Sequence, residues 1–260
     1  MKPSSFKSTF RLCALFGVLI LPCMGRLWAQ PIVGLSSSGV DAALTRLFGE
    51  NKAFSAQAVL KVYGPDETEV LSTTMGFAVR DRKLRMDVDI SKLKSTHLPA
   101  GIAGSLAQLG MQKVVSLVLP EKHASYLIYP GLECVLKVPM DDKDASPHAS
   151  DFRLEREAIG RETMEGHACI KYRVTVTDTT GSTQEAITWN AAKLKDFPIQ
   201  IQMSDGDNLM ILRFQNVKLV APGAELFDLP ASYPQYDSQS ALMQAVMMKA
   251  LSGVGGLREP

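Results

Sequence analysis

The sequence contains few of the residue combinations that catalysis or metal binding requires. Its four histidines stand singly, with no two at the spacing of metal ligands, and no Cys-x-x-Cys motif accompanies them. No serine lies in a Gly-x-Ser-x-Gly turn. These absences exclude the recognisable zinc sites and the strand-to-helix nucleophile turn. We therefore expect no catalytic residues, no metal ligands and no cofactor, and predict that the protein is not an enzyme.

An excess of charge of either sign is also missing. The chain has 28 Lys and Arg residues against 27 Asp and Glu residues, for a net charge of +1. Its composition therefore provides no attraction to nucleic acid or to an anionic membrane surface. The basic run at residues 80–83 lacks interleaved aromatic residues, so we expect no nucleic-acid binding. The acidic residues at 141–144 lack the glycine and the final glutamate of a calcium loop, and they predict a solvated loop.

The first 29 residues differ in kind from the rest of the chain. Three basic residues precede an apolar run at residues 12–21, and Ala29 follows just before Gln30. This order is typical of a cleaved secretory signal, and the run is short for a membrane span of about 20 apolar residues. Retention as an N-terminal anchor is the alternative, because Leu27 is large for the third position before a cleavage site. We favour cleavage near Ala29, which predicts a periplasmic or extracellular protein without a transmembrane segment.

Two cysteines remain after that cleavage, Cys134 and Cys169. In an exported chain they would allow one disulfide. Strand alternation places Cys169 on the polar side with Lys171, whereas Cys134 shares its side with the apolar Leu136. Residues on opposite faces of a sheet cannot be bridged without a bulge or an edge crossing. The sequence leaves the pairing open.

Most of the mature chain alternates apolar and polar residues with period two, which predicts β-strands with one buried face. We predict about ten or eleven strands, at residues 56–63, 69–79, 83–90, 114–119, 125–129, 133–138, 152–159, 167–178, 183–190, 198–204 and 209–219. The predicted fold is of the α+β class: a single strongly curved antiparallel sheet, or half-barrel, with helices covering its concave face. A two-layer sandwich is the alternative.

Three segments have helical rather than strand patterns. Residues 40–51 place apolar residues on one stripe, residues 98–114 are apolar, and residues 241–251 are rich in methionine. Each glycine inside the middle segment costs a helix about 1 kcal/mol relative to alanine. We interpret residues 98–114 either as a mobile cover over a hydrophobic opening or as an ordinary core helix.

Several short motifs recur in one known family. They are Gly160-x-Glu162-x-x-x-Gly166-His167-x-Cys169-x-Lys171-Tyr172, Thr188-Trp189, Phe197-Pro198-Ile199, Leu226-Phe227-x-Leu229-Pro230 and, upstream, Arg85-x-Asp87. Over roughly residues 54–230 the chain resembles the bacterial envelope family called domain of unknown function 4412. That family is similar in turn to the LolA and LolB lipoprotein carriers. The resemblance implies a half-barrel whose apolar concave face is covered by helices and, in the carriers, holds acyl chains.

These observations predict a signal peptide at residues 1–29, a LolA-like curved-sheet domain at 30–239, and a C-terminal helix and tail at 240–260. From the strand faces we expect a hydrophobic cavity lined by Leu84, Met86, Val88, Ile90, Ile199, Ile201 and Met203. The expected lid residues are Leu106, Leu109 and Met111.

The predicted function is that of an exported, non-enzymatic envelope protein. We expect it to bind a lipid-like or acylated hydrophobic ligand between sheet and helices, with a lipid, an acylated lipoprotein or an envelope protein as partner. The alternative is an envelope interaction or sensor module whose core is solid and which takes no small ligand.

Overall fold

A computed structural model describes residues 47–96, 101–140, 152–178, 181 and 183–254. The predicted signal peptide, the loop that contains residues 141–150 and most of the predicted helix at 40–51 lie outside these residues. All described residues belong to one compact unit that covers residues 38–260.

Strands dominate the described part of the chain. They are β1 (Ala53–Tyr63), β2 (Glu69–Arg80), β3 (Lys83–Asp89), β4 (Lys94–Ser95), β5 (Lys113–Leu119), β6 (Ala124–Tyr129), β7 (Cys134–Pro139), β8 (Phe152–Met164), β9 (His167–Asp178), β10 (Thr183–Ala191), β11 (Phe197–Asp205), β12 (Asn208–Lys218) and β13 (Gln235–Tyr236). Every predicted strand is found. The largest difference is at β8, which continues past the predicted end at Ile159. The two-residue strands β4 and β13 were not predicted.

All of these strands belong to one sheet. Its order is β13-β7-β6-β5-β3-β2-β1-β12-β11-β10-β9-β8, with β4 beside β2. Neighbouring strands are antiparallel except β13 and β7, which are parallel. The sheet is curved and does not close, since β8 and β13 end the order without pairing with each other. The predicted single curved antiparallel sheet is therefore confirmed.

The sheet consists of two meanders joined at one place. Strands β1 to β7 form the first meander and β8 to β12 the second, and antiparallel pairing of β1 with β12 connects them. The connecting ladder runs from Ser55 opposite Lys218 to Tyr63 opposite Leu209. The first long strand of the chain thus lies in the middle of the sheet.

One face of the sheet carries a cluster of phenylalanines. Phe48, which precedes β1, contacts Phe54, Phe77, Phe197 and Phe214 from four different strands. The ring centroids in this cluster lie 4.7 to 6.5 Å apart, and all five side chains are buried. Packing of this kind adds about 0.5–1.5 kcal/mol per pair to the burial itself. We call this side of the sheet the phenylalanine face.

The opposite face has a smaller core of its own. It is built from Ala78, Val115, Leu117, Leu119, Ala124, Tyr126, Ile128, Val135 and Phe227. Because this core and the phenylalanine face lie on the two sides of the same strands, β5 and β6 are buried on both faces. Their sequences are accordingly near-continuous apolar runs.

A segment after β12 covers this second core. Phe227 inserts into the core, and Leu229 and Tyr233 pack against it. Two arginines hold the segment from the strands beneath: Arg80 Nη1 donates to the Pro222 carbonyl at 2.7 Å, and Arg85 Nη1 donates to the Leu226 carbonyl at 2.7 Å. We call residues 222–233 the strap.

The described helices are α1 (Ile102–Gln108) and α2 (Gln239–Val254). The helix predicted over residues 98–114 is shortened to α1 because Gly101 and Gly110 take φ angles of 86° and 77°, in the left-handed region. Helix α1 contacts the 3-10 turn Ile90–Lys92, and α2 contacts β13. Within the described residues, neither helix has the length and apolarity needed to cross a membrane.

Candidate functional site

The predicted cavity residues that belong to strands lie on the phenylalanine face in two separate strips, and Ile90 lies in the 3-10 turn after β3. Met86 of β3 stands opposite Phe77, and Ile201 of β11 stands opposite Leu212. Strands β2, β1 and β12 lie between the strips, and the phenylalanine cluster fills part of that space. The buried members are Leu84, Met86, Val88, Ile90, Ile199 and Ile201, whereas Met203 is half-buried. Their role in holding a ligand stays a prediction.

The predicted lid residues lie on or just after α1. Leu109 is 46% exposed, while Leu106 and Met111 are half-buried. The end of this segment is fixed by a close backbone approach, because a Cβ added at Gly131 would collide with the backbone of Gly110. Helix α1 is therefore attached at one end and presents an apolar side chain to solvent at the same end.

Two buried hydroxyls interrupt the phenylalanine face. The Oγ1 of Thr73 and the Oγ of Ser116 are buried and have no hydrogen-bond partner among the described residues. Ser116 stands opposite Met86 of the first strip, and Thr73 stands opposite Leu60. A buried hydroxyl left without a partner costs about 1–3 kcal/mol.

One opening lies where the pairing of β11 with β12 stops. That ladder ends at Gln200 opposite Arg213, while β12 continues along β1 to Lys218. The gap is a cleft of about 520 Å³, which we call the split cleft. It is lined by Glu165, His167, Leu194, Ile199, Phe214, Gln215, Asn216 and Val217. Ile199 is thus the member of the predicted cavity set that reaches this opening.

The split cleft exposes more polar than apolar surface, and its apolar floor is formed by two buried residues. Ile199 and Phe214 are fully buried members of the phenylalanine face, so they form the floor. On the rim, Glu165 and Arg213 approach to 3.7 Å, and Arg213 Nε donates to Gln200 Oε1 at 2.9 Å. The carboxylate at the rim is therefore balanced by a guanidinium.

A β-bulge at Asn216 separates the split cleft from a second opening. The pairing of β1 with β12 shifts register here, and Asn216 has a φ of 54°. Its Nδ2 donates to Gln57 Oε1 at 3.1 Å. The second opening, of about 490 Å³, is lined by Ser55, Ala56, Gln57, Asn216 and Lys218. We call it the bulge cleft, and it shares Asn216 with the split cleft.

Away from the clefts, residues of the recognised motifs meet in a polar cluster. Trp189 Nε1 donates to Glu162 Oε2 at 2.8 Å, and Lys171 Nζ donates to Glu162 Oε1 at 3.1 Å. The Lys171 ammonium also lies 4.7 Å from the centre of the Trp189 ring. The hydrogen bond from Trp189, and then the one from Lys171, lower the pKa of Glu162. These residues lie opposite the phenylalanine face and hold β8, β9 and β10 together.

A second pair of motifs meets at the strap. Arg85 donates from Nε and Nη2 to the Asp87 carboxylate at 2.9 and 2.7 Å, and its Nη1 reaches the Leu226 carbonyl. The Arg85-x-Asp87 motif is therefore hydrogen-bonded to the Leu226-Phe227-x-Leu229-Pro230 motif. On β3 Arg85 alternates with the buried Leu84 and Met86, so it lies on the other face, to which the strap is bound. The sequence signal for this contact is an arginine and an aspartate two residues apart on one strand face.

The two cysteines are buried thiols and do not form a disulfide with each other. Cys134 stands opposite Tyr129 and shares the phenylalanine face with Leu136. Cys169 stands opposite Glu162 on the other face, as the alternation predicted. Burial raises the pKa of the Cys169 thiol. In the described ranges, no three His, Cys, Asp or Glu side chains come together as a metal site.

Comparison with known proteins gives similarities at low identity. No protein-family model and no curated protein matches the chain. The lipoprotein LppX of Mycobacterium tuberculosis matches with a TM-score of 0.39 and 13% identity, over 70% of this chain and 96% of that chain. A LolA superfamily protein of Nitrosomonas europaea matches with a TM-score of 0.37 and 11% identity, over 75% and 97%. LprF of Mycobacterium bovis matches with a TM-score of 0.37 and 11% identity, over 70% and 96%. Membership of the family called domain of unknown function 4412 stays a prediction.

Proposed function

We propose that this chain is an exported, non-enzymatic envelope protein that binds a lipid-like or acylated ligand. The apolar part of the ligand enters the split cleft and lies against the phenylalanine face. A free lipid and the acyl chain of a lipoprotein are the two candidate sources of that apolar part.

The observation that carries the proposal is the apolar floor of the split cleft. A volume of about 520 Å³ falls within the range of about 300–1,000 Å³ that ligand sites in proteins occupy. Ile199 and Phe214 link the opening directly to the buried phenylalanine cluster. A ligand with an apolar end and a polar end fits this arrangement better than one that is polar throughout.

Two further features of the phenylalanine face support the same ligand class. Val62, Met210 and Met203 stand opposite one another across β1, β12 and β11, and all three are half-buried. Methionine side chains adapt to irregular apolar shapes at little cost. The partnerless hydroxyls of Thr73 and Ser116 add hydrogen-bonding groups of the kind that an ester or amide of an acylated ligand could use.

The test uses a substitution at the rim of the split cleft. Val217 is half-buried and lines the cleft, so Val217→Arg places a charge at its entrance. Val220 is 73% exposed and lines neither cleft, so Val220→Arg is the matched control. We expect the neutral probe Nile red to bind the unmodified protein and the control, and to bind Val217→Arg at least about tenfold more weakly.

Organic extraction of the purified protein, followed by mass spectrometry, provides a second readout. We expect a co-purifying acyl lipid from the unmodified protein and less of it from Val217→Arg. Absence of any lipid, together with absence of probe binding to the unmodified protein, would refute the proposal.

The solid-core interaction module is the second candidate function. Five phenylalanines that fill the centre of one face favour it, since a filled core leaves less room for a ligand. A pull-down from envelope extract that returns a single protein partner, with no lipid and no probe binding, would select this candidate.

A further inference from the structure

The bulge cleft differs in charge from the split cleft beside it. The rim of the split cleft includes the carboxylate of Glu165, which faces Arg213. The bulge cleft is lined by Ser55, Gln57, Asn216 and Lys218 together with an alanine, and none of these is acidic. Its polar lining consists of a hydroxyl, two amides and one ammonium group. All four can donate hydrogen bonds.

The contact between the two amides directs donors into the bulge cleft. Asn216 Nδ2 donates to Gln57 Oε1 at 3.1 Å, so the carbonyl oxygen of Gln57 is occupied by this contact while its amide hydrogens remain available. Lys218 is exposed and forms no ion pair with any residue that the structure describes. An ammonium beside two amides and a hydroxyl is a donor set suited to a carboxylate or phosphate group.

The β-bulge explains why the two clefts adjoin. The register shift lies between Ser55 and Gln57 on β1 and opposite Asn216 on β12, and a bulge of this kind redirects side chains at the end of a ladder. Asparagine accepts the positive φ of 54° more readily than most residues. As a result Asn216 lines both clefts, and the split cleft adjoins the cleft that Lys218 lines.

We propose that the bulge cleft receives an anionic head group, so that the ligand is an amphiphile with a carboxylate or phosphate at its polar end. This inference rests on the proposed function, because the apolar chain of the same molecule occupies the split cleft. The head group accepts hydrogen bonds from the Lys218 ammonium and the Gln57 amide. The charge of Lys218 then determines which of two ligands with the same chain binds more tightly.

The experiment compares two ligands that share a chain and differ in head group. Laurate and 1-dodecanol are titrated against Nile red bound to the full chain, and displacement yields the affinity of each. Lys218→Met removes the charge and retains the length of the side chain. Lys61→Met is the matched control, because Lys61 lies on β1, is partly exposed, pairs with Glu69 and lines neither cleft.

For Lys218→Met we expect laurate to bind about three- to tenfold more weakly, as befits one exposed charge, while 1-dodecanol binds unchanged. For Lys61→Met both ligands should bind as to the unmodified protein. The preference of the unmodified protein for laurate should also shrink when salt is raised from 0.05 to 0.5 M, values chosen to shorten the Debye length. Lauryl phosphate, run in parallel, identifies whether carboxylate or phosphate is preferred.

Two outcomes overturn the assignment of the head-group site while leaving the proposed function standing. One is that laurate and 1-dodecanol bind the unmodified protein equally. The other is that Lys218→Met weakens both ligands to the same extent, which would show a change in cleft shape and not in charge. If the probe does not bind the unmodified protein, and neither ligand binds, the proposed function itself is refuted.

Discussion

The contact between Arg85 and the strap yields the sharpest prediction about stability. Arg85→Met keeps the length and the apolar stem of the side chain but removes its charge and its donors. The change removes the hydrogen bond to the Leu226 carbonyl and both hydrogen bonds to Asp87. Lys83→Met is the control on the same face of the same strand, since among the residues that the structure describes Lys83 makes a single ion pair, to Glu121 at 3.2 Å.

The magnitude follows from the exposure of the groups. A hydrogen bond to a charged group contributes about 1.5–3 kcal/mol, and exposed ion pairs contribute about 0–1 kcal/mol. The Arg85 side chain is only 21% exposed, while that of Asp87 is 45% exposed. The bond to Leu226 is exposed and the two bonds to Asp87 are partly buried. We therefore assign the effect to the three bonds together and expect Arg85→Met to lower the free energy of unfolding by about 2 kcal/mol. The control should cost less than about 1 kcal/mol.

Equilibrium unfolding in urea measures the difference. With a slope of about 2 kcal/mol per M, the loss corresponds to a midpoint about 1 M lower for Arg85→Met and to little change for Lys83→Met. Hydrogen exchange should also become faster at the amides of residues 226–233 in Arg85→Met. Equal midpoints for the two variants would refute the reasoning and show that Phe227 alone holds the strap.

Two further predictions concern other contacts. Gly131→Ala should destabilise the fold by about 1–3 kcal/mol, because its Cβ would collide with the backbone of Gly110. By contrast, the Cβ of Gly104→Ala in α1 meets no atom within 4 Å, so this variant should stabilise the helix by up to about 1 kcal/mol. Thermal melts that rank the two variants the other way would contradict this. Trp189→Phe removes a hydrogen bond that holds the pKa of Glu162 below its usual range. A carboxylate with a lowered pKa stabilises the fold above its ordinary pKa, and this contribution is lost as pH falls through the lowered value. The difference in Tm between Trp189→Phe and the unmodified protein should therefore shrink as pH is lowered from 6 to 3, a range chosen to span the titration. A difference that stays constant over that range would show that packing, and not the Glu162 contact, sets the effect.

The sheet could be predicted from the sequence because one face of most strands is buried. On β3, Leu84, Met86 and Val88 alternate with charged residues, and alternation of this kind leaves no other regular structure open. The ends of α1 could be anticipated only in part, since Gly101 and Gly110 break the helix by taking a left-handed conformation. Glycine permits that conformation but does not require it.

The clefts could not be predicted, because they depend on contacts between distant parts of the chain. The split cleft exists because β11 pairs with β12 only from Gln200 onwards, and no local pattern marks where that pairing begins. The double burial of β5 did have a signal, namely the run Val114-Val115-Ser116-Leu117-Val118-Leu119. A near-continuous apolar strand is typically buried on both sides. The strap covers the side of β5 that lies opposite the phenylalanine face.

The pairing of β1 with β12 has a consequence for how the protein is made. This ladder joins strands from the two ends of the described chain, so it can close only after almost all of the polypeptide has been synthesised. Both clefts lie along this seam, with Gln57 supplied by the early half and Asn216 and Lys218 by the late half. A chain in which β1 and β12 have not yet paired therefore lacks complete clefts. The capacity to hold a ligand there would show that the two meanders have joined. Binding would in turn stabilise this ladder, by an amount that grows with the logarithm of ligand concentration over Kd.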